Sequence, residues 1–245
     1  ERYHALRTDD ERNDGDTMKK ALTLLWAPVI AAALFACASQ TQVQSPYDDT
    51  VARADVLLEI PALRQYGGYT CGTTCVQMLM NWLFPYEGDL NLTAYEEALG
   101  TTEEAGTPPE NITRFFAENG VTAAAKEHMT VSELVAALDS HHPMLMCMQA
   151  WSSADDGSYN TGDPSDAETY LTEGHWVICV GYRRLKSGYR FFFNDPACVG
   201  RCLLDETELD ARWIDMDGDG RLYEHYGIEI IGATAYDPDG AFHMD

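Results

Sequence analysis

The chain has 245 residues, enough for one domain of ordinary size or for two lobes that share a cleft. Hydrophobic residues make up 45% of it, so a substantial core can form. The formal net charge of −24 argues against nucleic acid and against an anionic membrane surface, because both would require clusters of Lys and Arg. We expect no nucleic-acid partner and a monomeric protein.

The first 55 residues have the pattern of an export segment. Residues 1–17 are polar and precede Met18, so we expect them to be an upstream or non-native extension. Residues 18–37 have a positive start followed by an apolar run too short for a comfortable membrane span, which predicts a signal peptide. Residues 38–55 are rich in Gln, Ser, Thr and Asp and predict a flexible tether.

The end of the signal has two interpretations. Residues 34–37 (Leu-Phe-Ala-Cys) resemble the lipobox of a bacterial lipoprotein, in which Cys37 is lipidated and becomes the membrane anchor. Alternatively, Ala36 and Ala38 define a small-x-small site for ordinary signal peptidase. Both place the mature protein outside the cytoplasm, as a cell-envelope lipoprotein or as a periplasmic or secreted protein.

Residues 56–245 predict one folded domain of class α+β. Its first half is expected to be helical, over residues 71–84, 91–99, 109–119 and 130–139, after an extended segment at 56–61. Thr93 is expected to cap the second helix, and Thr130 with Glu133 forms a capping-box pattern in the fourth. Strands are expected over residues 143–149, 175–182, 189–193 and 226–236, with an acidic loop at 151–173.

Cys71 is the candidate nucleophile. A loop containing Gly67 and Gly68 leads into an apolar helix that begins at or near Cys71, where free N–H groups and the helix dipole favour a thiolate. Gln65 lies six residues earlier and can supply an amide N–H to an oxyanion hole, together with the backbone N–H of Cys71.

The remaining catalytic partners come from two strands expected to pair. His175 opens one strand, and Asp195 follows the other. If the strands are neighbours, the Asp195 carboxylate can fix the tautomer of the His175 imidazole and stabilise its protonated form. The predicted chemistry needs no cofactor.

This set resembles the papain-like cysteine peptidases, and among them family thirty-nine, the bacteriocin-leader-peptidase-like group with its stand-alone relatives. The resemblance extends over about residues 57–215 and rests on Gln65 and on residues 69–72 (Tyr-Thr-Cys-Gly), 174–177 (Gly-His-Trp-Val), 180–182 (Val-Gly-Tyr) and 194–196 (Asn-Asp-Pro). It implies a papain-like fold, in which a helical lobe bearing the cysteine helix packs on an antiparallel sheet lobe bearing the histidine and aspartate. It also implies peptide-bond cleavage with Cys71 as nucleophile, His175 as general base and acid, Asp195 as its orienter and Gln65 as oxyanion donor.

Two other functions stay open. The same fold can serve as a non-catalytic cell-surface binding module, in which Cys71 is tied to Cys75 or another thiol. A transglutaminase-like enzyme would use the same Cys-His-Asp chemistry for acyl transfer from an amide.

Metal binding and disulfides are the last features to assign. Asp215, Asp217 and Asp219 match the first half of an EF-hand calcium loop, with Gly220 at position six, but Tyr226 stands where the twelfth position requires an acidic residue. The pattern therefore indicates either a structural calcium site or an acidic turn. Cys198 and Cys202 are close enough in sequence to form a local disulfide. The absence of CxxC pairs argues against a zinc site.

Overall fold

An antiparallel sheet of seven strands forms the centre of the folded domain in the computed structural model, which describes residues 53–85, 91–150, 165, 171–198 and 201–233. The strands are β1 (Val56–Leu57), β2 (Val121–Lys126), β3 (Met144–Gln149), β4 (Gly174–Leu185), β5 (Gly188–Asn194), β6 (Arg201–Asp205), β7 (Ile214–Met216), β8 (Leu222–Glu224) and β9 (Gly227–Ala233). The spatial order in the sheet is β2-β9-β3-β4-β5-β6, and β1 pairs with the far part of β4. A separate two-stranded hairpin consists of β7 and β8.

Five helices lie within the described part of the chain, four of them before the central strands. They are α1 (Cys71–Leu83), α2 (Leu92–Leu99), α3 (Pro109–Glu118), α4 (Val131–Asp139) and α5 (Glu206–Arg212). α1 packs against β4 on one side and α2 on another. Its apolar residues Val76 and Leu79 are fully buried in these contacts. The α+β class and the packing of the cysteine helix on the antiparallel sheet are therefore confirmed.

Local sequence signals place most helix ends. The capping box of α4 is present, because Thr130 accepts from the backbone N–H of Glu133 and the Glu133 carboxylate accepts from the backbone N–H of Thr130. The expected cap of α2 is wrong. Asn91, rather than Thr93, precedes this helix, and its side-chain oxygen accepts from Ala94 N at 3.0 Å.

Both faces of the central sheet are covered. Phe191, Phe192 and Phe193 are consecutive residues of β5, so their side chains alternate between the two faces, yet all three are at most 2% exposed. Gly181 in β4 allows β1 to approach, since a Cβ at this position would lie 2.2 Å from Val56 O. Residues 175–182 of β4 are all buried, which makes this strand a rigid support for residues at its start.

The expectation that the first half is helical misses one strand. β2 reads Val-Thr-Ala-Ala-Ala-Lys, a sequence without a strong strand pattern, and it pairs along its length with β9. β6, α5 and the β7–β8 hairpin were also not expected from the sequence.

Residues 1–52 and most of the predicted loop at 151–173 lie outside the described residues. The predictions that fall there are the upstream extension, the signal peptide with its two alternative ends and most of the tether. Within the described part of the chain, the helices are too short or too polar to cross a membrane.

Candidate active site

Cys71 is the first residue of α1 and is 6% exposed. The loop before it turns at Gly67, whose φ of 73° lies in the left-handed region that favours glycine. Thr70 precedes the helix and makes no side-chain cap hydrogen bond. The first N–H groups of α1 therefore remain available to a ligand, next to the Cys71 thiol.

The lack of a side chain at Gly72 lets the start of α1 pack closely against the start of β4. A Cβ on Gly72 would lie 2.6 Å from Thr107 Cβ and 2.9 Å from Trp176 Cδ1. The indole of Trp176 is held in this position by its hydrogen bond to Thr107 O at 3.1 Å. Only glycine therefore allows α1 to approach β4 closely enough for Cys71 to meet His175, the residue before Trp176.

His175 and Asp195 are brought together by pairing between β4 and β5. Ile178 lies opposite Asn194, so the chain after β5 returns alongside the start of β4. His175 Nε2 lies 2.7 Å from Asp195 Oδ1, and the same oxygen accepts from Ala197 N at 2.8 Å. The imidazole is only 6% exposed and the Asp195 side chain 14% exposed, so water competes little with the hydrogen bond between them.

Cys71 and His175 line the same cleft, and the Cys71 thiol is one of the groups that raise the pKa of the imidazole. Asp195 engages Nε2 of the ring, so Nδ1 is the ring nitrogen left for a second partner. The structure thus brings the predicted Cys71, His175 and Asp195 together around one imidazole.

The electrostatics favour a protonated imidazole. Burial lowers the pKa of His175, but the hydrogen bonds and charges of Asp195 and Cys71 outweigh it and raise the pKa to about 9. Burial raises the pKa of Asp195, but its hydrogen bond to His175 and the charge of the imidazolium bring the pKa below its usual value. At neutral pH the pair is therefore an imidazolium and a carboxylate, and a thiolate beside an imidazolium is the activated form of a nucleophilic cysteine.

Cys75 lies one helical turn after Cys71 and faces the sheet. It is fully buried, its Sγ donates to Trp176 O at 3.4 Å, and both Cys71 and Cys75 are free thiols. Burial raises the pKa of Cys75 well above its usual value, so this thiol stays protonated and unreactive.

Gln65 lies beside the site, but its side chain is turned toward its own loop. Its backbone N–H donates to Pro196 O at 2.8 Å, which fixes the loop next to Asp195. Its side-chain Nε2 donates one hydrogen to Gly67 O at 2.9 Å, while Oε1 is buried without a partner among the described residues. The second Nε2 hydrogen is the group that an oxyanion could use.

The catalytic groups open into an acidic cleft of about 680 Å³. Among the described residues, its wall includes Cys71, His175 and six carboxylates but no Lys or Arg; the acidic residues are Glu103, Glu104, Glu110, Asp215, Asp217 and Asp219.

Asp215 is the cleft carboxylate that packs closest to the start of β4. A Cβ on Gly174 would lie 2.7 Å from Asp215 Oδ1, and the same oxygen accepts from Gln149 Nε2 at 2.9 Å. Burial raises the pKa of Asp215 to about 7. The calcium-loop spacing indicates a calcium ligand or an acidic turn at Asp215, and no local sequence signal predicts its place in the cleft wall.

The three aspartates of the calcium hypothesis are not gathered into one ligand set. Asp215 faces Gln149, whereas Asp217 caps its own hairpin by accepting from Asp219 N at 3.0 Å and Arg221 N at 2.9 Å. Among the described residues, the group of His, Cys, Asp or Glu ligand atoms that lies close enough to hold a metal is elsewhere, at Asp195, Cys198 and Cys202.

A thiol at a helix start, an imidazole on an antiparallel sheet and a carboxylate just after the next strand are the arrangement of the papain-like class of peptidase. The chain belongs to the Peptidase_C39 like family, whose sequence model matches residues 57–219. No curated protein sequence matches this chain.

Three solved structures are similar to this chain at low identity. A double glycine motif protease from an AMS/PCAT transporter, in complex with the leader peptide, has 13% identity and a TM-score of 0.47, over 71% of this chain and 92% of that chain. A C39-like peptidase from Bacillus anthracis has 12% identity and a TM-score of 0.48, over 71% and 96%. The peptidase domain of Streptococcus ComA has 11% identity and a TM-score of 0.46, over 70% and 98%. Similarities this distant add nothing to the family assignment.

Proposed function

We propose that this chain is an active thiol peptidase in which Cys71 is the nucleophile, His175 the general base and acid, and Asp195 the group that orients and charges His175. The observation that carries the proposal is the position of the buried His175 imidazole, between the Asp195 carboxylate at 2.7 Å and the Cys71 thiol. No other described histidine has both a carboxylate and a cysteine as hydrogen-bond partners.

The reaction follows from these positions. The Cys71 thiolate adds to the peptide carbonyl carbon, and the carbonyl oxygen becomes an oxyanion. His175 donates its proton to the leaving nitrogen, the C–N bond breaks, and an amine leaves while a thioester remains on Cys71. Neutral His175 then takes a proton from water, the hydroxide adds to the thioester, and the acid product leaves with regeneration of the thiolate–imidazolium pair.

The oxyanion is proposed to bind at the start of α1. The backbone N–H of Cys71 lies in the uncapped first turn, where the helix dipole favours negative charge. Gln65 would add its second Nε2 hydrogen, with the loop held by the bond from Gln65 N to Pro196 O. Loss of one oxyanion donor typically lowers kcat by about 10²–10³.

The proposed substrate is a peptide or protein segment with basic residues. The six carboxylates of the cleft attract cationic side chains and raise their local concentration. Since several of these carboxylates are exposed at the cleft rim, added salt would screen the attraction.

The proposal is tested by alkylation with iodoacetamide and mapping of the modified thiols by mass spectrometry. We expect Cys71 to react faster than the other five described cysteines, and His175→Ala to slow this reaction by about 100-fold or more. His128→Ala is the matched control, because that side chain is 72% exposed and pairs with Glu224 outside the site. Equal labelling of all accessible thiols, or equal slowing in both variants, would contradict the proposal.

The two alternatives make different predictions. A binding module with Cys71 locked in a disulfide is disfavoured by the free Cys71 and Cys75 thiols, and it would show no cleavage of any peptide library. A transglutaminase-like enzyme would attach an added amine to the acyl group instead of releasing the acid. Mass analysis of the products with and without the amine separates transfer from hydrolysis.

We also propose export and, at Cys37, lipid attachment. The supporting observation is the positive start, apolar run and Leu-Phe-Ala-Cys segment in residues 18–37. Metabolic labelling with a fatty-acid analogue, compared between the unaltered chain and Cys37→Ser, tests the anchor. Release of the unlabelled protein into the medium or periplasm would favour the soluble alternative.

Calcium binding by the β7–β8 hairpin also stays a proposal. It is supported by the spacing of Asp215, Asp217 and Asp219. A rise in Tm on addition of Ca²⁺, abolished by Asp219→Asn, is its expected signature. An unchanged Tm would contradict it.

A further inference from the structure

The carboxylate of Asp195 faces two different sets of groups. Oδ1 is used by the proposed catalytic site, since it accepts from His175 Nε2 and Ala197 N. Oδ2 points elsewhere and accepts from the Cys198 thiol at 3.3 Å. The proposed chemistry therefore assigns no role to Oδ2 or to the thiol beside it.

A second thiol reaches the same place from another strand. Cys202 belongs to β6 and lies opposite Phe193 of β5, two residues before Asp195. The ligand atoms of Asp195, Cys198 and Cys202 all lie within 4.8 Å of one another. Both cysteines are free and partly exposed, so solvent and ions can reach them.

We propose that Asp195, Cys198 and Cys202 form a binding site for a thiophilic divalent cation of the Zn²⁺ class. The ligands would be the two Sγ atoms and Asp195 Oδ2, with water in the fourth position. A tetrahedral zinc with Zn–S of about 2.3 Å and Zn–O of about 2.1 Å holds its ligand atoms roughly 3.6–3.8 Å apart. The observed group already lies within 4.8 Å, so small side-chain rotations complete the site.

The ligand types decide which metal class is favoured. Two thiolates select a soft or borderline cation such as Zn²⁺ over Ca²⁺ or Mg²⁺, which prefer oxygen ligands. Oδ1 can keep its hydrogen bond to His175 while Oδ2 binds the metal, so the two sites share one carboxylate. A disulfide between Cys198 and Cys202 would remove both thiolates, which makes binding dependent on reducing conditions. The metal-binding proposal does not depend on the peptidase proposal, because none of the three metal ligands needs to act on a substrate.

The test uses the full chain with Cys71→Ala, so that the catalytic thiol cannot bind metal, kept reduced with a phosphine. Titration with Co²⁺, a spectroscopic substitute for Zn²⁺, is expected to give a near-ultraviolet thiolate-to-cobalt charge-transfer band at one equivalent, which Zn²⁺ then removes. Cys198→Ser or Cys202→Ser in this background should weaken binding by about 10-fold or more. Cys179→Ala is the control, since this buried thiol contacts Gly181 O and lies outside the cluster.

A second measurement needs no variant of the cluster and so is insensitive to misfolding. In the folded Cys71→Ala chain, Zn²⁺ should protect Cys198 and Cys202 together from alkylation. Absence of the cobalt band, an unchanged band in the double variant Cys198→Ser/Cys202→Ser, or alkylation of both thiols at the same rate with and without Zn²⁺ would each overturn the proposal.

Discussion

The negative charge of Asp195 is the feature whose removal tests the catalytic proposal most directly. Asp195→Asn keeps the shape of the side chain and retains an oxygen that can accept from His175 Nε2 and Ala197 N. It removes the charge that stabilises the imidazolium. Because burial alone lowers the pKa of His175, we expect the substitution to lower this pKa from its value of about 9.

The expected size follows from the contacts of the imidazole. The rise of the His175 pKa from 6.5 to about 9 corresponds to about 3 kcal/mol in favour of the imidazolium. A hydrogen bond to a charged group contributes about 1.5–3 kcal/mol, or about 1–2 pKa units. Cys71 supplies the rest of the upward shift, which also offsets the lowering by burial, and this contribution does not depend on the substituted carboxylate. The pKa of His175 in Asp195→Asn should therefore fall by about 1–2 units.

The assay is a pH titration of the histidine ring protons by NMR, with the His175 signals assigned from their loss in His175→Ala. Asp219→Asn is the matched control, because Asp219 is an exposed carboxylate of the same cleft that makes no contact with His175. An unchanged His175 pKa in Asp195→Asn, or an equal fall in Asp219→Asn, would refute the assignment of Asp195.

The same shift predicts how stability depends on pH. The folded-state pKa of His175 lies above its unfolded value of 6.5, so its contribution to the free energy of unfolding is fully present below pH 6.5. The contribution is lost as pH rises through about 9. Urea unfolding at pH 6 and pH 9 should show a larger loss of stability in the unaltered chain than in Asp195→Asn.

Three further predictions concern packing, the buried cleft carboxylate and the substrate. Gly72→Ala should lower the free energy of unfolding, measured by urea denaturation, by about 1–3 kcal/mol, because the new Cβ would overlap Thr107 and Trp176. Gly218→Ala is the control and should have little effect, since open space surrounds this position. Asp215→Asn should raise stability relative to the unaltered chain more at pH 8 than at pH 5, because the folded pKa of about 7 makes the ionised carboxylate costly above that pH; equal effects at both pH values would contradict this. Finally, kcat/KM should be higher for Lys- and Arg-rich peptides than for neutral ones, because the cleft is acidic. The difference should shrink as salt is raised from about 0.05 to 0.5 M. If the ratio of kcat/KM for basic and neutral peptides does not change with salt, the cleft charge does not select the substrate.

Local sequence signals predict the structure correctly where it depends on residues close together in the chain. The capping box Thr130–Glu133 depends on contacts within a few residues, and it is present as expected. The apolar runs of β3 and β4 likewise predict buried strands. The composition of β2 does not predict a strand, since its three consecutive alanines favour a helix. The segment is a strand because the edge of β9 supplies its hydrogen-bond partners.

The order of Gln65, Cys71, His175 and Asp195 along the chain indicated the family and a candidate site without any coordinates, because these residue types are the ones that thiol chemistry requires.

Only the tertiary structure could show the distance from His175 to Asp195 and the turn of the Gln65 amide toward Gly67. Only it could place Asp215 in the cleft wall and Cys202 beside Asp195. The physical reason is that these positions depend on strand register and on the packing of α1 against β4. Both are set by contacts between residues far apart in the sequence, which no local pattern encodes.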